Sequence, residues 1–538
     1  MRDDHANGGG FGLGGIIGEI LRPDTRQLRI VGTRGDGNLR TQRTLSGIHK
    51  RIEILDDGLA LVRGRQDSKN DGRHTSQFYT ARYYRIVIGS HSPRPAPVPP
   101  LTTLPDGTIK QVNPFSGTEV WTVPGRANRP IAEHRPEPQD IADRDATTAF
   151  GLKRKLETPP EKSRLIVDAD GQARILRGLK PSELEETTPL FRRVANLFEI
   201  LTYDYWNLNY GYRSSPAAAM HMAEYLKEEA GQDHVEKILR TKWAATGRPA
   251  EAIDALFSPA TRMQTLNEQG IGLFAGGHDV IIARDHFVPG ATSTDQLASS
   301  GSMDWQTHRH FFAFTVDGMD QLYRANRYVR YVAAFQNWLS PAGASFDHLH
   351  KQLVAIDEHG LQNETEIAQV RSNPNMYNEW AVDYAARHNL IIAENEHAIA
   401  FAGFGHRWPT LEVFSKSGTT EPWLMSDAER DAVSDLVHAC HVASGPHIAC
   451  NEEWMHRPLD VDVPMPWRIL IKWRVSTMAG FEGGTKIYIN TITPAQLKDR
   501  VLTALQKAQG EDRLAPGISL GEDCAMRPNS LKYNPAIR

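Results

Sequence analysis

The sequence has little cysteine: only Cys440, Cys450 and Cys524 occur in 538 residues. This number excludes a disulfide scaffold and a zinc site made of four cysteines, and it favours a reducing compartment. A run of eighteen apolar residues is also missing, and the opening Met1 to Gly8 is acidic and glycine-rich, without the apolar core of a signal peptide. We therefore expect a cytoplasmic protein that has no membrane partner.

The sequence has no surplus of positive charge. Lys and Arg number 61 against 65 Asp and Glu, which gives a formal net charge of −4. A chain with this balance has no overall field to hold nucleic acid or an anionic membrane, so any anion site must be local. The basic segment from Arg22 to Arg51 has no interleaved aromatic residues, which favours a solvated surface over a nucleic-acid site.

Apart from a second His-x-His at His308 and His310, which lacks a neighbouring glycine-rich turn and glutamine and is expected to be structural, histidines at alternating positions are present in one stretch, between Phe335 and Gln352. If this stretch is a strand, His348, His350 and Gln352 project from one face at successive positions. Three such groups beside a turn of small residues suit a site that holds a phosphate and attacks it. The alternative is a strand whose histidines are merely half-exposed.

The residues around these histidines carry a family pattern. Phe335 and Asn337 are followed by Ala-Gly-Ala-Ser at 342–345 and then by His-x-His-x-Gln at 348–352. This order and spacing resemble the active-site segment of the galactose-1-phosphate uridylyltransferase branch of the histidine-triad superfamily. Leu349 and Lys351 stand where the family has proline and glycine, which puts the local backbone shape in doubt.

The resemblance implies an α+β fold of two related halves, each an antiparallel sheet with helices on one face. It implies a homodimer, and it makes His350 the nucleophile, with His348 and Gln352 beside it. The residues expected to contact the nucleotide phosphates are Asn337, Gly343, Ala344 and Ser345.

Further residues match the family outside this stretch. Arg126 and Arg129 lie in a Pro-x-Arg-x-x-Arg-Pro loop and are expected to reach substrate phosphates, to which guanidinium groups are well matched, although loop arginines are often only solvated. Asn196 resembles an asparagine that meets the nucleotide, and Glu482 resembles a glutamate that contacts the sugar.

The family's metal ligands are incomplete in this sequence. Thr148 to Gly151 stands where a zinc-binding Cys-x-x-Cys is usual, which leaves only His286 and His348. Leu470 and Lys472 occupy the positions of histidines that hold a second metal, which leaves Glu366 and His456. Because a structural zinc needs four ligands, we expect no metal cofactor at either position, and these four residues are weak candidates only.

Composition shifts divide the chain into segments. Closely spaced prolines in 91–104 predict a stiff connector, and five aromatic residues between Tyr203 and Tyr212 indicate an edge hairpin or a stacking wall for a base or sugar. The predicted segments are a β-rich unit (1–90), the proline-rich linker (91–104), a first half with the active-site motif (105–376) carrying a helical insertion (213–268), a degenerate second half (377–506) and a polar tail (507–538).

These features predict a nucleotidyltransferase that acts on a nucleoside diphosphate sugar or related nucleotide through a nucleotidyl-histidine. The second partner would be a phosphorylated sugar or a phosphate acceptor. Two alternatives stay open: a phosphorylase of nucleoside diphosphate sugars or dinucleoside polyphosphates, and a noncatalytic nucleotide-binding regulator. The nucleobase and the sugar cannot be read from the sequence.

Overall fold

A computed structural model of the chain describes residues 99–126, 131–141 and 148–537, together with the backbone of six strands before residue 86. The chain divides into two units, Met1–Val98 and Pro99–Arg538, and the division falls within the predicted proline-rich linker. The described residues of the first unit all lie in strands: β1 (Ile17–Ile20), β2 (Leu28–Val31), β3 (Ile48–Ile54), β4 (Leu59–Asn70), β5 (Arg73–Phe78) and β6 (Tyr83–Arg85). β1 pairs with β2, and β3, β5 and β6 pair with β4.

The second unit contains a small sheet and a large one. The small sheet is formed by β7 (Leu101–Thr103), β8 (Ile109–Val112), β9 (Glu119–Thr122) and β21 (Ile487–Ile489). The large sheet contains β10 (Glu161–Val167), β11 (Ala173–Arg177), β12 (Phe191–Ala195), β13 (His278–Ala283), β14 (Tyr331–Trp338), β15 (His350–Ile356), β16 (Ile391–Glu394), β17 (Ala398–Ala402), β18 (Thr410–Ser415), β19 (Cys450–Met455), β20 (Arg468–Trp473) and β22 (Ser519–Leu520).

The order of the strands in the large sheet is β11-β10-β12-β13-β15-β14-β19-β20-β18-β17-β16-β22, and all neighbours are antiparallel. Counted outward from the centre, one side runs β14, β15, β13, β12, β10 and the other runs β19, β20, β18, β17, β16. The two sides therefore repeat the same chain order. The antiparallel sheet with helices confirms the α+β class, and the strands of both predicted halves lie in one continuous sheet.

The described helices are α1 (Tyr203–Tyr210), α2 (Pro216–Tyr225), α3 (Glu229–Ala245), α4 (Ala250–Leu256), α5 (Arg262–Gln269), α6 (Ile271–Ala275), α7 (Trp305–Ala325), α8 (Leu361–Ser372), α9 (Asp383–Arg387), α10 (Asp427–Ser444), α11 (Gly480–Thr485) and α12 (Pro494–Gly510). Helices α2 to α5 occupy the segment for which an insertion is predicted, and together with α6 they share a separate apolar core. α10 begins with a capping box, in which Ser426 and Glu429 each bond the other's backbone N–H. No helix in the described part of the chain is both long and apolar enough to cross a membrane.

Helices α7 and α10 pack against each other, and α7 also contacts β14 and β15. Between these layers lies a buried ion pair, in which the Lys351 ammonium contacts the Glu452 carboxylate. His441 of α10 bonds the other oxygen of Glu452 at 2.7 Å. The lysine that replaces the family's glycine is therefore held on the helix-covered face of the sheet, opposite His350 and Gln352.

Two local predictions are wrong. The aromatic segment is helix α1 and not a hairpin, because the Thr202 side chain caps its first turn and Gly211, at φ 67°, ends it in the left-handed conformation. The segment after residue 506 is no free polar tail, since β22 pairs with β16 and Leu531 and Tyr533 are buried.

Candidate active site

The reactive stretch enters the sheet later than predicted. β15 begins at His350, and His348 lies in the bend before it. His348 therefore precedes the strand that was expected to include it, while its ring and that of His350 both contact Phe150. His350 and Gln352 lie on one face of β15.

The ring of His350 is oriented by its own backbone. Its Nδ1–H donates to the His348 carbonyl at 2.7 Å, which leaves the lone pair on Nε2. No other hydrogen bond of this ring occurs within the described residues. Burial lowers the pKa of His350 below its usual value, so the imidazole is neutral at pH 7. A neutral imidazole with a free Nε2 has the state that a nucleophile needs.

Gln352 is oriented by a histidine that the motif does not include. His278 of β13 accepts the Ile200 N–H on Nδ1 at 3.2 Å, so its Nε2–H donates to Gln352 Oε1 at 3.0 Å. Asn196 Nδ2 lies 3.5 Å from the same oxygen. Because the amide oxygen is occupied, the Gln352 NH₂ group is left as a donor. Asn196, which was expected to meet the nucleotide, thus lies beside Gln352.

The N–H groups in the turn of small residues donate to carbonyls a few residues earlier in the chain. Gly343, at φ 86°, donates its N–H to the Ser340 carbonyl, and the Ala344 N–H donates to the Leu339 carbonyl at 3.3 Å. The expectation that the N–H groups of Gly343 and Ala344 face a bound phosphate is therefore wrong. Ser345 is exposed and makes no hydrogen bond within the described residues.

Asn337 connects the site to the other half of the sheet. Its Oδ1 accepts from Asn451 Nδ2 at 2.7 Å, and β14 pairs with β19 at these two residues. Asn451 also donates to the Ala342 carbonyl at 2.8 Å, and its own Oδ1 accepts from Arg474 at 2.7 Å. The Asn337 NH₂ group is consequently left as a donor next to β15. Asn451 and Arg474 were missed by sequence reasoning, because only the strand pairing shows that they are close.

His348 and His286 lie side by side, with ring centroids 5.1 Å apart. The His348 Nε2–H donates to the Ala283 carbonyl at 2.6 Å, and its Nδ1 accepts from the Thr148 hydroxyl at 3.2 Å. Burial lowers the pKa of His348 to about 3 and that of His286 to about 4. With both nitrogens of His348 in hydrogen bonds and a threonine at the place of a thiolate, these residues do not fit a zinc ion.

The residues of the second metal position are held by other partners. The Glu366 carboxylate is bound by both terminal nitrogens of Arg468, at 2.8 and 2.6 Å, and by the Tyr377 hydroxyl at 2.7 Å. His456 accepts the Tyr323 hydroxyl at 2.9 Å. Within the residues that the structure describes, no three metal-binding side chains come together. The absence of a bound metal stays a prediction.

The remaining predicted residues lie apart from this cluster. Arg126 is exposed after β9, and Arg129 lies outside the described residues. Glu482 accepts the Ala479 N–H at 3.0 Å and so caps α11. Its side chain also lines an open depression of about 190 Å³ with Arg407, Trp408 and Tyr488.

Phe150 covers the reactive ring, with its centroid 5.4 Å from that of His350 and 5.0 Å from that of Phe346. The site therefore combines a neutral imidazole in contact with Phe150 and two amide NH₂ donors, from Gln352 and Asn337. Such an arrangement can place donors on the non-bridging oxygens of a phosphate that Nε2 attacks.

Solved structures resemble the chain at low identity. They include an ADP-glucose phosphorylase from Arabidopsis thaliana with bound ADP-glucose (16% identity, TM-score 0.46) and a GalT-like protein from Arabidopsis thaliana (16%, 0.45), each covering 73% of this chain and 98% of the other. A uridylyltransferase matches with 16% identity and TM-score 0.35, over 44% of this chain and 76% of the other.

No curated protein matches the chain. A family model described as a domain of unknown function, DUF4921, matches residues 104–533, which is well over half of the chain. The chain therefore belongs to the DUF4921 family.

Proposed function

We propose that the protein is a nucleotidyltransferase that works through a covalent nucleotide on His350. The observation that carries this proposal is the hydrogen bond from His350 Nδ1 to the His348 carbonyl, which leaves a neutral Nε2 as the attacking atom. Within the described residues, four other histidines, His286, His308, His438 and His456, also have one buried ring nitrogen without a partner. At His350 the free lone pair lies beside the amide donors of Gln352 and Asn337, and this combination favours a nucleophile.

In the first step, Nε2 attacks the α-phosphorus of a nucleotide donor, and the bond from phosphorus to the leaving phosphate oxygen breaks. The histidine then carries positive charge, and its Nδ1–H bond to the His348 carbonyl stabilises that charge. In the second step, an acceptor phosphate oxygen attacks the same phosphorus and the phosphorus–nitrogen bond breaks. The imidazole returns to its neutral state.

Donors for the phosphate oxygens come from side-chain amides. The Gln352 NH₂ group is directed by the bond from His278, and the Asn337 NH₂ group by the bond from Asn451. Preorganised donors of this kind contribute a few kcal/mol each as charge develops. The exposed Ser345 hydroxyl and the Arg126 guanidinium are further proposed contacts, the latter for the leaving phosphate.

The donor is proposed to be a nucleoside diphosphate sugar and the acceptor a phosphorylated sugar, as in a hexose-1-phosphate uridylyltransferase. With inorganic phosphate as acceptor, the same two steps describe a phosphorylase. We also propose that the two halves are related repeats, which the repeated strand order on the two sides of the sheet supports. The homodimer implied by the resemblance stays part of this proposal.

The experiment is intact-protein mass spectrometry after incubation with nucleoside diphosphate sugars and dinucleoside polyphosphates, one at a time, without acceptor. The expected result is a gain of one nucleoside monophosphate that is labile to acid and stable to base, as a phosphorus–nitrogen bond requires. His350→Gly must remove this gain. Label on another residue would contradict the mechanism, and binding of every nucleotide without any label would favour the noncatalytic regulator.

A further inference from the structure

Phe150, which contacts the ring of His350, lies in a short segment that one buried arginine holds at both ends. Arg192 of β12 donates from Nη2 to the Phe150 carbonyl at 3.0 Å and from Nη1 to the Thr158 hydroxyl at 3.3 Å. Arg192 is 1% exposed, and Glu161 lies 3.7 Å from it as a counter-charge. A guanidinium presents its donors in a rigid fork, so it can fix two points of the chain at once.

The helical insertion supplies a second contact to Thr158. Nε2 of His234, on α3, lies 2.8 Å from the Thr158 carbonyl. Because a carbonyl only accepts, this nitrogen carries the proton, and Nδ1 accepts from the Tyr225 hydroxyl at 2.8 Å. Burial lowers the pKa of His234, which keeps its ring neutral. Tyr225 belongs to the apolar core of the insertion, so one histidine joins that core to the segment of Phe150.

The ring of Phe150 packs on the sheet face that carries the reactive imidazole. Its apolar neighbours there are Val194, Val280 and Ile282. Ile282 is the cross-strand neighbour of His350, and residues paired in this way point to the same face. His350 itself is 5% exposed. The position of Phe150 therefore affects how much of the imidazole solvent can reach.

We propose that the helical insertion positions Phe150 over His350 through His234 and Arg192, and that this contact limits the access of water to the imidazole. His234 and Arg192 are positioning residues, since neither contacts the His350 ring within the described part of the chain. Loss of either side chain leaves a buried carbonyl without its donor, so the segment should leave the sheet more often. This role concerns the imidazole alone and does not depend on the proposed function.

The contact has a consequence for transfer, which does rest on the proposed function. Water that reaches the phosphorus of a nucleotidyl-histidine attacks it, the phosphorus–nitrogen bond breaks, and a nucleoside monophosphate and a proton are released. The nucleotide is then lost without reaching its acceptor. A firmly held Phe150 slows this loss, so the label on His350 should have a shorter lifetime in His234→Leu than in the wild type.

Chemical modification of His350 tests the positioning role without any substrate. Diethyl pyrocarbonate acylates neutral imidazoles, and peptide mapping by mass spectrometry gives the rate at each histidine, with the exposed His388 as internal reference. We expect His234→Leu to raise the rate at His350 about tenfold relative to His388, because one hydrogen bond to a buried carbonyl is lost. His234→Gln, whose amide can donate to Thr158 and accept from Tyr225, should restore the wild-type rate.

His221→Leu is the matched control. His221 also lies in the insertion, on α2, and its Nε2 is 3.0 Å from a backbone carbonyl, that of Leu179, which is outside the segment of Phe150. This variant should leave the rate at His350 unchanged. Arg192→Met removes two bonds and should have a larger effect than His234→Leu.

Thermal melts identify any variant that does not fold, and the two His234 variants decide the outcome if Arg192→Met is one of them. Unchanged reactivity of His350 in folded His234→Leu would overturn the inference. An equal rise in His221→Leu would overturn the assignment to His234, since any loosening of the insertion would then have the same effect.

The test separates this inference from the proposed function. If no nucleotide ever labels His350 but its reactivity depends on His234 and Arg192, the positioning role stands and the transferase proposal falls. If labelling occurs and the reactivity does not depend on them, the positioning role alone is wrong.

Discussion

β15 and β20 occupy corresponding places in the large sheet, each one strand away from the central pair β14 and β19. β15 presents His350, whose Nε2 makes no bond in the described structure. β20 presents Arg468 and Lys472, and both are bound to carboxylates, Glu366 and Glu453. The same sheet thus carries a free lone pair on β15 and charges paired with carboxylates on β20.

The difference follows from the cost of burial. A neutral imidazole can be buried with one nitrogen unpaired at moderate cost, whereas an unpaired guanidinium or carboxylate costs far more. The face of a strand that bears buried charges must therefore satisfy all of them, and it has no group left for chemistry. β15 also carries a buried charge, Lys351, but on the face opposite His350, where Glu452 pairs with it. A strand with a neutral histidine can keep a reactive atom available.

His350→Gly is expected to have the largest effect, and it tests whether β15 carries the chemistry. It should lower turnover by about 10⁴-fold or more, because it removes bonding that exists only on the way to the transition state. Nucleotide affinity should stay within about tenfold. Steady-state kinetics and calorimetry measure both, and His310→Asn from the second His-x-His is the control. Wild-type turnover in His350→Gly would refute the assigned role of β15.

Acid should destabilise both halves in the same way. Burial lowers the pKa of His348 to about 3, of His456 to about 3 and of His438 to about 4. Between these values and about 6.5 the unfolded chain binds more protons than the folded one, so stability falls as the pH falls below about 6.5. Each group should cost up to about 2 kcal/mol by pH 5.

Urea unfolding between pH 8 and pH 5 measures this loss. Because the pKa of His350 is also lowered by burial, turnover per folded molecule should stay constant through pH 6.5 and fall only below it. An acid limb of turnover above pH 7 would contradict the neutral imidazole in β15.

Arg468→Met tests the paired strand. It leaves the fully buried Glu366 without its cation and should cost about 3–5 kcal/mol of unfolding free energy. The double variant with Glu366→Leu should recover much of this loss, since no buried charge then remains. Chemical denaturation measures both. A cost of less than about 1 kcal/mol for Arg468→Met would show that β20 does not depend on its ion pair.

Gln352→Ala tests the second proposed role within β15, that of the Gln352 NH₂ group as a donor. The loss of one amide donor should lower turnover by about 10²-fold and leave nucleotidyl-histidine formation detectable. Gln352→Glu keeps an oxygen for His278 and removes the NH₂ group, so it should be at least as slow as Gln352→Ala. A fast Gln352→Glu variant would mean that the oxygen, and not the NH₂ group, acts on the substrate.

The smallest expected effect is that of a chelator. Dialysis against a chelator should change neither turnover nor melting temperature, because the residues at both family metal positions have other partners. Elemental analysis should find well under one zinc or iron per chain. A stoichiometric metal that survives the dialysis would require ligands from elsewhere, with His278, His308 and His310 the first to examine.

Elements that carry their own local signals can be predicted from the sequence. Ser426 and Glu429 form a capping box at the start of α10, and Val316, Met319, Leu322 and Tyr323 recur at helical spacing in the last turns of α7. β13 was recognisable from a short buried apolar run. In each case a few neighbouring residues determine the structure.

Features that depend on distant partners were missed, and at α1 two opposing local signals were weighed wrongly. The aromatic residues of α1 favour strands, and the caps at Thr202 and Gly211 override that preference. The pairing of Asn337 with Asn451 and the bond from His278 to Gln352 require the completed sheet. Nothing in the local sequence around His350 indicates which side chains orient its neighbours.

The pairing of β14 with β19 also has a consequence for synthesis and folding. Asn337 and Asn451 are 114 residues apart in the chain, so the strand that orients Asn337 is made long after the strand that carries it. Contacts of such long range form slowly, since a large loop must be closed first. We expect the first half, which carries His350, to fold on the ribosome before it can react with a nucleotide. Chains that stop before residue 450 should form no labelled intermediate.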